Sequence, residues 1–102
     1  MMEILAKYKS KSVPEKYIQR NIVVWLREQG YHVDVITKGM YGANGIADII
    51  CCIKGLYVAF EVKRPGAKPT ELQSRWLDSV NKSGGKAFIV HSLEEVKGLL
   101  NG

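Results

Sequence analysis

The 102-residue chain is long enough for one domain, and its 46% hydrophobic and 25% charged residues are typical of a globular protein. Fifteen Lys and Arg against ten Asp and Glu give a net charge of +5, which favours a polyanionic partner such as nucleic acid over a basic surface without a specific partner. No apolar run approaches membrane-spanning length and no signal core begins the sequence, so we expect a soluble, intracellular protein with no membrane contact.

The N-terminal third combines a basic arm with a helix. Residues 1–11 are rich in lysine and are expected to be a loosely held arm. Ser12-Val13-Pro14-Glu15 has the form of a capping box with proline in the first turn, and Gly30 ends the predicted helix. Apolar residues recur between these limits at helical spacing: Ile18, Ile22, Trp25 and Leu26.

Three strands are predicted next. Alternation of apolar and polar residues from Tyr31 to Thr37 predicts a half-exposed strand, and the three glycines of Lys38 to Gly45 predict a loop. Ile46–Ile53 and Leu56–Lys63 are apolar almost throughout, which predicts central strands covered on both faces. Lys54-Gly55 is expected to join them as a two-residue hairpin turn.

The C-terminal part adds a helix, a strand and a helix. Thr70-Glu71-Leu72-Gln73 is a second capping box, opening a helix to about Val80. Its inward side is expected to carry Leu72, Trp76, Leu77 and Val80. Lys86–Val90 is a predicted strand, and Ser92 to Glu95 caps a final helix. The order helix, three strands, helix, strand, helix predicts a single α/β domain over residues 1–102, with a mixed central sheet.

The adjacent cysteines Cys51 and Cys52 lie within a predicted strand. Neighbouring strand residues point to opposite faces, so a disulfide between them would be strained. We expect two buried thiols in a reducing compartment, and no zinc site.

A pair of carboxylates stands out at the end of the predicted hairpin. Counting outward from Lys54-Gly55 in equal steps places Asp48 opposite Glu61, and like charges so opposed repel. A divalent cation between them would offset that repulsion. Lys63, two residues beyond Glu61, leaves the same face of the strand. The arrangement predicts metal-assisted phosphodiester chemistry, against the alternative of solvated charges at a hairpin tip.

Glu15 and Gln73 are candidates with two interpretations each. Each closes a predicted capping box, and each also heads the inward-facing stripe of its helix. Both side chains are therefore expected either to cap a helix or to converge over the end of the hairpin. Basic residues flank the same region and are candidates for phosphate contacts or plain surface charges: Lys38, Arg64, Lys68 and Arg75.

Taken together, four elements resemble the VRR-NUC domain. They are Glu15 on a first helix, Gly45-Ile46-Ala47-Asp48, Glu61-Val62-Lys63 and Thr70-Glu71-Leu72-Gln73. This family is a branch of the PD-(D/E)XK nucleases, related in fold to restriction endonucleases and Holliday-junction resolvases. The resemblance covers about residues 12–91, and it departs from the family pattern at Ala47, where proline often precedes the aspartate.

The resemblance implies a restriction-endonuclease-like core and Mg²⁺- or Mn²⁺-dependent cleavage of DNA, without an organic cofactor. It implies that Lys63 is the catalytic lysine and that Glu15 and Gln73 complete the catalytic site. The implied metal ligands are Asp48, Glu61, the backbone carbonyl of Val62 and Glu15. Asp48 and Glu61 thereby also belong to the catalytic set.

The resemblance is to stand-alone members of the family from phage and bacteria. It implies a homodimer that nicks or resolves branched DNA, such as a four-way junction, in the cytoplasm of a bacterial or phage-infected cell. Three alternatives stay open from the sequence. They are a nuclease acting on flaps or DNA ends, a catalytically silent DNA-binding module of the same fold, and a small α/β interaction protein whose charge is incidental.

Overall fold

Helices flank a four-stranded sheet in the computed structural model, which describes residues 13–37 and 45–101. The elements are α1 (Glu15–Glu28), β1 (His32–Val35), β2 (Ile49–Ile53), β3 (Leu56–Val62), α2 (Glu71–Lys82), β4 (Lys86–Val90) and α3 (Leu93–Asn101). The predicted order of elements is confirmed. The basic arm and all but the last residue of the predicted loop lie outside the described residues.

The strands follow one another across the sheet in the order β1-β2-β3-β4. The first three are antiparallel, and β4 runs parallel to β3. A parallel neighbour requires a crossover connection, and α2 supplies it. The mixed sheet is as predicted, and β2 and β3 occupy its centre.

The β2–β3 hairpin has the predicted register. Its ladder runs from Ile53 opposite Leu56 to Ile49 opposite Phe60. Lys54 and Gly55 have φ of 51° and 82°, and a turn with positive φ at both central residues matches the twist of a two-residue hairpin. Asp48, the residue before β2, therefore lies directly beyond the end of the ladder, next to Ile49.

The two faces of the sheet carry separate apolar clusters. Along β3, Val58, Phe60 and Val62 belong to the larger cluster, which includes residues of α1 and α3. Ala59 belongs to the smaller cluster, together with Leu77 of α2. Because strand side chains alternate, the residue after Phe60 points to the face that α2 covers.

The start of α1 differs from the prediction. Its N-cap is Pro14, with φ of −61° and ψ of 140° and no side-chain cap. The predicted N-cap position is therefore wrong, because the helix begins one residue after the proline; Ser12 itself lies outside the described residues. The Pro14 carbonyl accepts from the N–H groups of Tyr17 and Ile18, and the Glu15 carboxylate is directed elsewhere.

The capping box of α2 is confirmed, and the helix runs to Lys82, beyond the predicted end. Leu77 is buried, whereas Leu72 is 55% exposed, so its predicted inward position is wrong. Leu72 lies in the first turn of α2, where the side chain of the neighbouring Gln73 is the one that reaches the sheet. None of the helices in the described part of the chain is long and apolar enough to cross a membrane.

The two cysteines differ in exposure, which corrects the prediction of two buried thiols. Cys51 is buried on the α1 face, and Cys52, which points to the opposite face of the strand, is exposed. Burial, with a smaller contribution from Cys52, raises the pKa of the Cys51 thiol to about 11.

We expect a thiol reagent at pH 8 to modify Cys52 alone in the folded protein, because the Cys51 thiol is buried and protonated. Reaction with a chromogenic disulfide, followed with and without urea, checks this. One thiol per chain should react before unfolding and two after it. Equal reaction of both thiols in the folded protein would contradict the burial of Cys51.

Candidate active site

Glu61 is a buried carboxylate near the end of β3. It is 2% exposed and lies on the face that α2 covers. Its Oε2 atom is 3.5 Å from Lys63 Nζ and accepts a hydrogen bond from Gln73 Nε2 at 3.1 Å. A buried carboxylate needs such partners, because desolvation strongly disfavours an unpaired charge. The Lys63 ammonium therefore offsets the negative charge of Glu61, a role for which the sequence predicts a divalent cation.

Lys63 extends the pairing of β3 by one residue. Its N–H donates to the Val90 carbonyl at 2.9 Å, which continues the contact with β4. Its side chain is 14% exposed and lies on the same side as Glu61, as the strand alternation predicts. The low exposure limits screening by water and salt, so the ammonium is a strong local charge.

Asp48 lies against the backbone of β3. Its Oδ2 atom accepts a hydrogen bond from the Val62 N–H at 2.8 Å, and its carbonyl accepts from the Ile36 N–H at 2.9 Å. The first bond places the Asp48 carboxylate beside the peptide that joins Glu61 to Val62. The side chain thus closes the ladder where β2 has not yet begun. Asp48 has a structural role in addition to any role as a ligand.

Glu15 joins the same end of the sheet from α1. Its Oε2 atom accepts from the Arg64 N–H at 3.4 Å, one residue beyond Lys63. This long hydrogen bond replaces the predicted cap. The N-terminus of α1 therefore meets the end of β3, as the helical stripe predicts.

Gln73 has both of its predicted roles at once. Its Oε1 atom accepts from the Thr70 N–H at 2.8 Å, which completes the capping box of α2. Its amide nitrogen donates to Glu61, so the same side chain reaches the candidate site. The sequence argument treated these roles as alternatives, whereas the two ends of the amide allow both.

The oxygen donors at this end of the sheet fit a hard divalent cation. Over residues 13–37 and 45–101, no three side chains of His, Cys, Asp or Glu form a group that could hold a metal ion. Mg²⁺ usually takes only one or two protein carboxylates and keeps several waters. The carboxylates of Asp48 and Glu61 with the Val62 carbonyl therefore fit the chemistry of Mg²⁺ or Mn²⁺. A ligand role for Glu15 stays a prediction.

The predicted phosphate-binding residues lie near the same segment of chain. Arg64 and Lys68 are exposed between β3 and α2. Arg75 is exposed one turn into α2, where its guanidinium pairs with Glu71. An exposed pair of this kind contributes little stability, so Arg75 can exchange Glu71 for a phosphate at small cost. Lys38 lies outside the described residues.

Gly45 is a residue whose role the sequence argument missed. Its φ is +91°, and a Cβ atom there would lie 2.9 Å from the backbone oxygen of Leu72. The chain therefore packs at Gly45, three residues before Asp48, against the first turn of α2. The sequence signal for this contact was a glycine three residues before Asp48. Its partner, Leu72, is distant in the sequence and could not be identified from it.

Gly45→Ala is expected to destabilise the fold by about 2 kcal/mol or more, because the left-handed conformation and the contact with Leu72 both oppose a side chain. Gly30→Ala is the matched control: Gly30 has φ of +89° with nothing within 4 Å, so about 1 kcal/mol is expected. Urea unfolding compares the two variants. An equal loss of stability in the two variants would show that the contact between Gly45 and α2 does not contribute to the free energy of unfolding.

Comparison with known proteins found similarity to a solved structure. A solved structure described as a VRR_NUC domain matches this fold with a TM-score of 0.73 and 25% sequence identity. The alignment covers 85% of this chain and 94% of that one. No protein-family model and no curated protein matches the sequence.

Proposed function

We propose that this chain, which belongs to the VRR-NUC domain family and is a nuclease-type domain, is a Mg²⁺- or Mn²⁺-dependent deoxyribonuclease. The observation that carries the proposal is the meeting of three groups at one end of the sheet. Glu61 lies buried beside Lys63, and Asp48 lies against the following peptide. Carboxylates with an adjacent ammonium suit hydrolysis of a phosphodiester, whose transition state carries additional negative charge.

Each residue of this group has a distinct task in the proposed hydrolysis. A divalent cation supplies polarisation of the phosphate and activation of water when it is bound. Asp48, Glu61 and the Val62 carbonyl would hold it. The Lys63 ammonium orients the attacking water or stabilises charge on the phosphate. Glu61 holds Lys63 in place, since Glu61 Oε2 and Lys63 Nζ are 3.5 Å apart.

The proposed substrate is branched DNA, with a four-way junction as the first choice and a homodimer as the acting form. The net charge of +5 and the exposed Arg64, Lys68 and Arg75 support binding of a polyanion. These contacts position a phosphate backbone without reading its sequence. We therefore expect the protein to prefer DNA of a particular shape and not of a particular base sequence.

A catalytically silent DNA-binding module is the second candidate. It is favoured by the contacts that already engage both carboxylates: Lys63 and Gln73 on Glu61, and the Val62 N–H on Asp48. Those contacts give the carboxylates a structural purpose without a metal ion. The two candidates differ in one measurable property, metal-dependent cleavage.

Cleavage of labelled four-way junction, flap and linear duplex DNA tests the proposal. Each substrate is incubated with Mg²⁺, Mn²⁺ or EDTA, and wild type is compared with Lys63→Ala. Metal-dependent cutting that the variant lacks would support a nuclease, and the preferred substrate would define its type. Salt-sensitive binding of all three without cutting would instead support the silent module.

A further inference from the structure

The amide of Gln73 has one possible orientation. The Thr70 N–H is only a donor, so the Gln73 atom 2.8 Å from it is the oxygen. The Gln73 nitrogen is then the atom 3.1 Å from Glu61 Oε2, to which it donates. Reversing the amide would break both hydrogen bonds. The cap of α2 therefore decides which end of Gln73 faces the carboxylate.

Thr70 holds Gln73 at two points. Besides donating its own N–H, Thr70 accepts a hydrogen bond at Oγ1 from the Gln73 N–H at 3.2 Å. These reciprocal bonds fix the first turn of α2 relative to the Gln73 side chain. Thr70 thus sets the orientation of Gln73, although no hydrogen bond between described residues joins Thr70 to Glu61.

We propose that Thr70 is a positioning residue for Glu61 and acts through Gln73. The chain of contacts runs from the Thr70 cap to the Gln73 amide and then to Glu61 Oε2. It holds the carboxylate in one orientation before a cation arrives, which removes the cost of ordering it on binding. This inference rests on the proposed function, in which Glu61 is a metal ligand.

The residue type at position 73 agrees with this double task. Glu completes a capping box as well as Gln does, because only an acceptor for the N-cap N–H is needed. A Glu at position 73 would offer no donor to Glu61 and would add a like charge beside it. Gln satisfies the cap and the carboxylate together. The cap alone therefore does not explain why residue 73 is Gln and not Glu.

Mn²⁺ binding in the absence of DNA tests the proposal. Thr70→Val removes the hydroxyl that accepts from Gln73, and we expect the Mn²⁺ dissociation constant to rise by about 10-fold, the lower end of the effect of outer-shell ligand partners. Thr70→Ser retains the hydroxyl and should bind Mn²⁺ like wild type. An unchanged Mn²⁺ affinity in Thr70→Val would overturn the proposal.

Ser92→Ala is the matched control for loss of a helix cap. Ser92 Oγ accepts from the Glu95 N–H at 3.1 Å at the start of α3, which is the same kind of bond in a helix that contributes none of the candidate site residues. Both variants should lower resistance to urea. Only Thr70→Val should weaken Mn²⁺ binding. Equal weakening in Ser92→Ala would show a general effect of stability and overturn the specific role.

The route through Gln73 has its own test. In a Gln73→Leu background, Thr70→Val should change Mn²⁺ affinity no further, because the proposed connection is already broken. A full additional loss in the double variant would mean that Thr70 acts on the site by another path, and would overturn the route.

An NMR measurement on metal-free protein separates this inference from the proposed function. The side-chain NH₂ signals of Gln73 should show slowed hydrogen exchange in wild type and Thr70→Ser, and faster exchange in Thr70→Val. If that pattern holds while wild type binds no Mn²⁺, the positioning of Glu61 stands and the metal-dependent function fails. If Gln73 exchanges equally in all three proteins, the positioning itself is wrong.

Discussion

Lys63→Ala is expected to lower the rate of DNA cleavage by about 10²- to 10³-fold, the usual effect of removing one group that stabilises transition-state charge. DNA binding should change little, because Lys63 is 14% exposed and contributes less to the outer charge than Arg64 or Lys68. Single-turnover cleavage in Mg²⁺ and filter binding in EDTA measure the two properties separately. A variant that cuts at the wild-type rate would contradict the proposed mechanism.

The same substitution also removes a cationic partner of a buried carboxylate, with an expected cost of about 3 kcal/mol in stability. A loss of activity alone would therefore be ambiguous. The double variant Glu61→Gln with Lys63→Met removes both charges while keeping similar volumes, so it should be closer to wild type in stability. It should remain inactive. Lys82→Ala, at an exposed position in the last turn of α2, is the control expected to retain cleavage.

Asp48→Asn is expected to lower metal-dependent cleavage by at least about 10²-fold while changing stability by less than about 1 kcal/mol. The amide oxygen of Asn can still accept the hydrogen bond from the Val62 N–H, but the charge that would bind a cation is gone. Cleavage rates titrated with Mn²⁺, together with urea unfolding, measure both effects.

Asp48→Ala separates the two roles of this residue. It leaves the Val62 N–H without its partner, so a further loss of about 1–3 kcal/mol in stability is expected. If Asp48→Asn cleaves like wild type and only Asp48→Ala is impaired, Asp48 serves the ladder and not a metal ion. That result would favour the silent DNA-binding module.

Local patterns in the sequence were sufficient for the elements and the hairpin. Lys54-Gly55 permits the tight turn, and the apolar runs on either side have only one register that suits it, so the pairing of β2 with β3 was predictable. The alternation along β3 likewise placed Glu61 and Lys63 on one face. These features depend on residues close together in the chain, where backbone geometry leaves few options.

Features that depend on distant partners were not predictable in the same way. The predicted N-cap position of α1 and the predicted inward position of Leu72 were wrong, because the start of α1 and the packing of the first turn of α2 depend on tertiary contacts. The two roles of Gln73 were foreseen as alternatives. That they coexist depends on where Glu61 lies relative to α2, which helical periodicity does not specify.

Short-range patterns in the chain are sufficient to predict the α/β order, the mixed sheet and a carboxylate–lysine pattern that resembles the VRR-NUC domain. The partners of the carboxylates depend instead on packing: the Val62 N–H for Asp48, and Lys63 and Gln73 for Glu61. The physical reason is that periodicity specifies the face on which a side chain lies. Which polar groups meet across that face depends on how the helices and strands pack, because buried polar groups need partners wherever the fold supplies them.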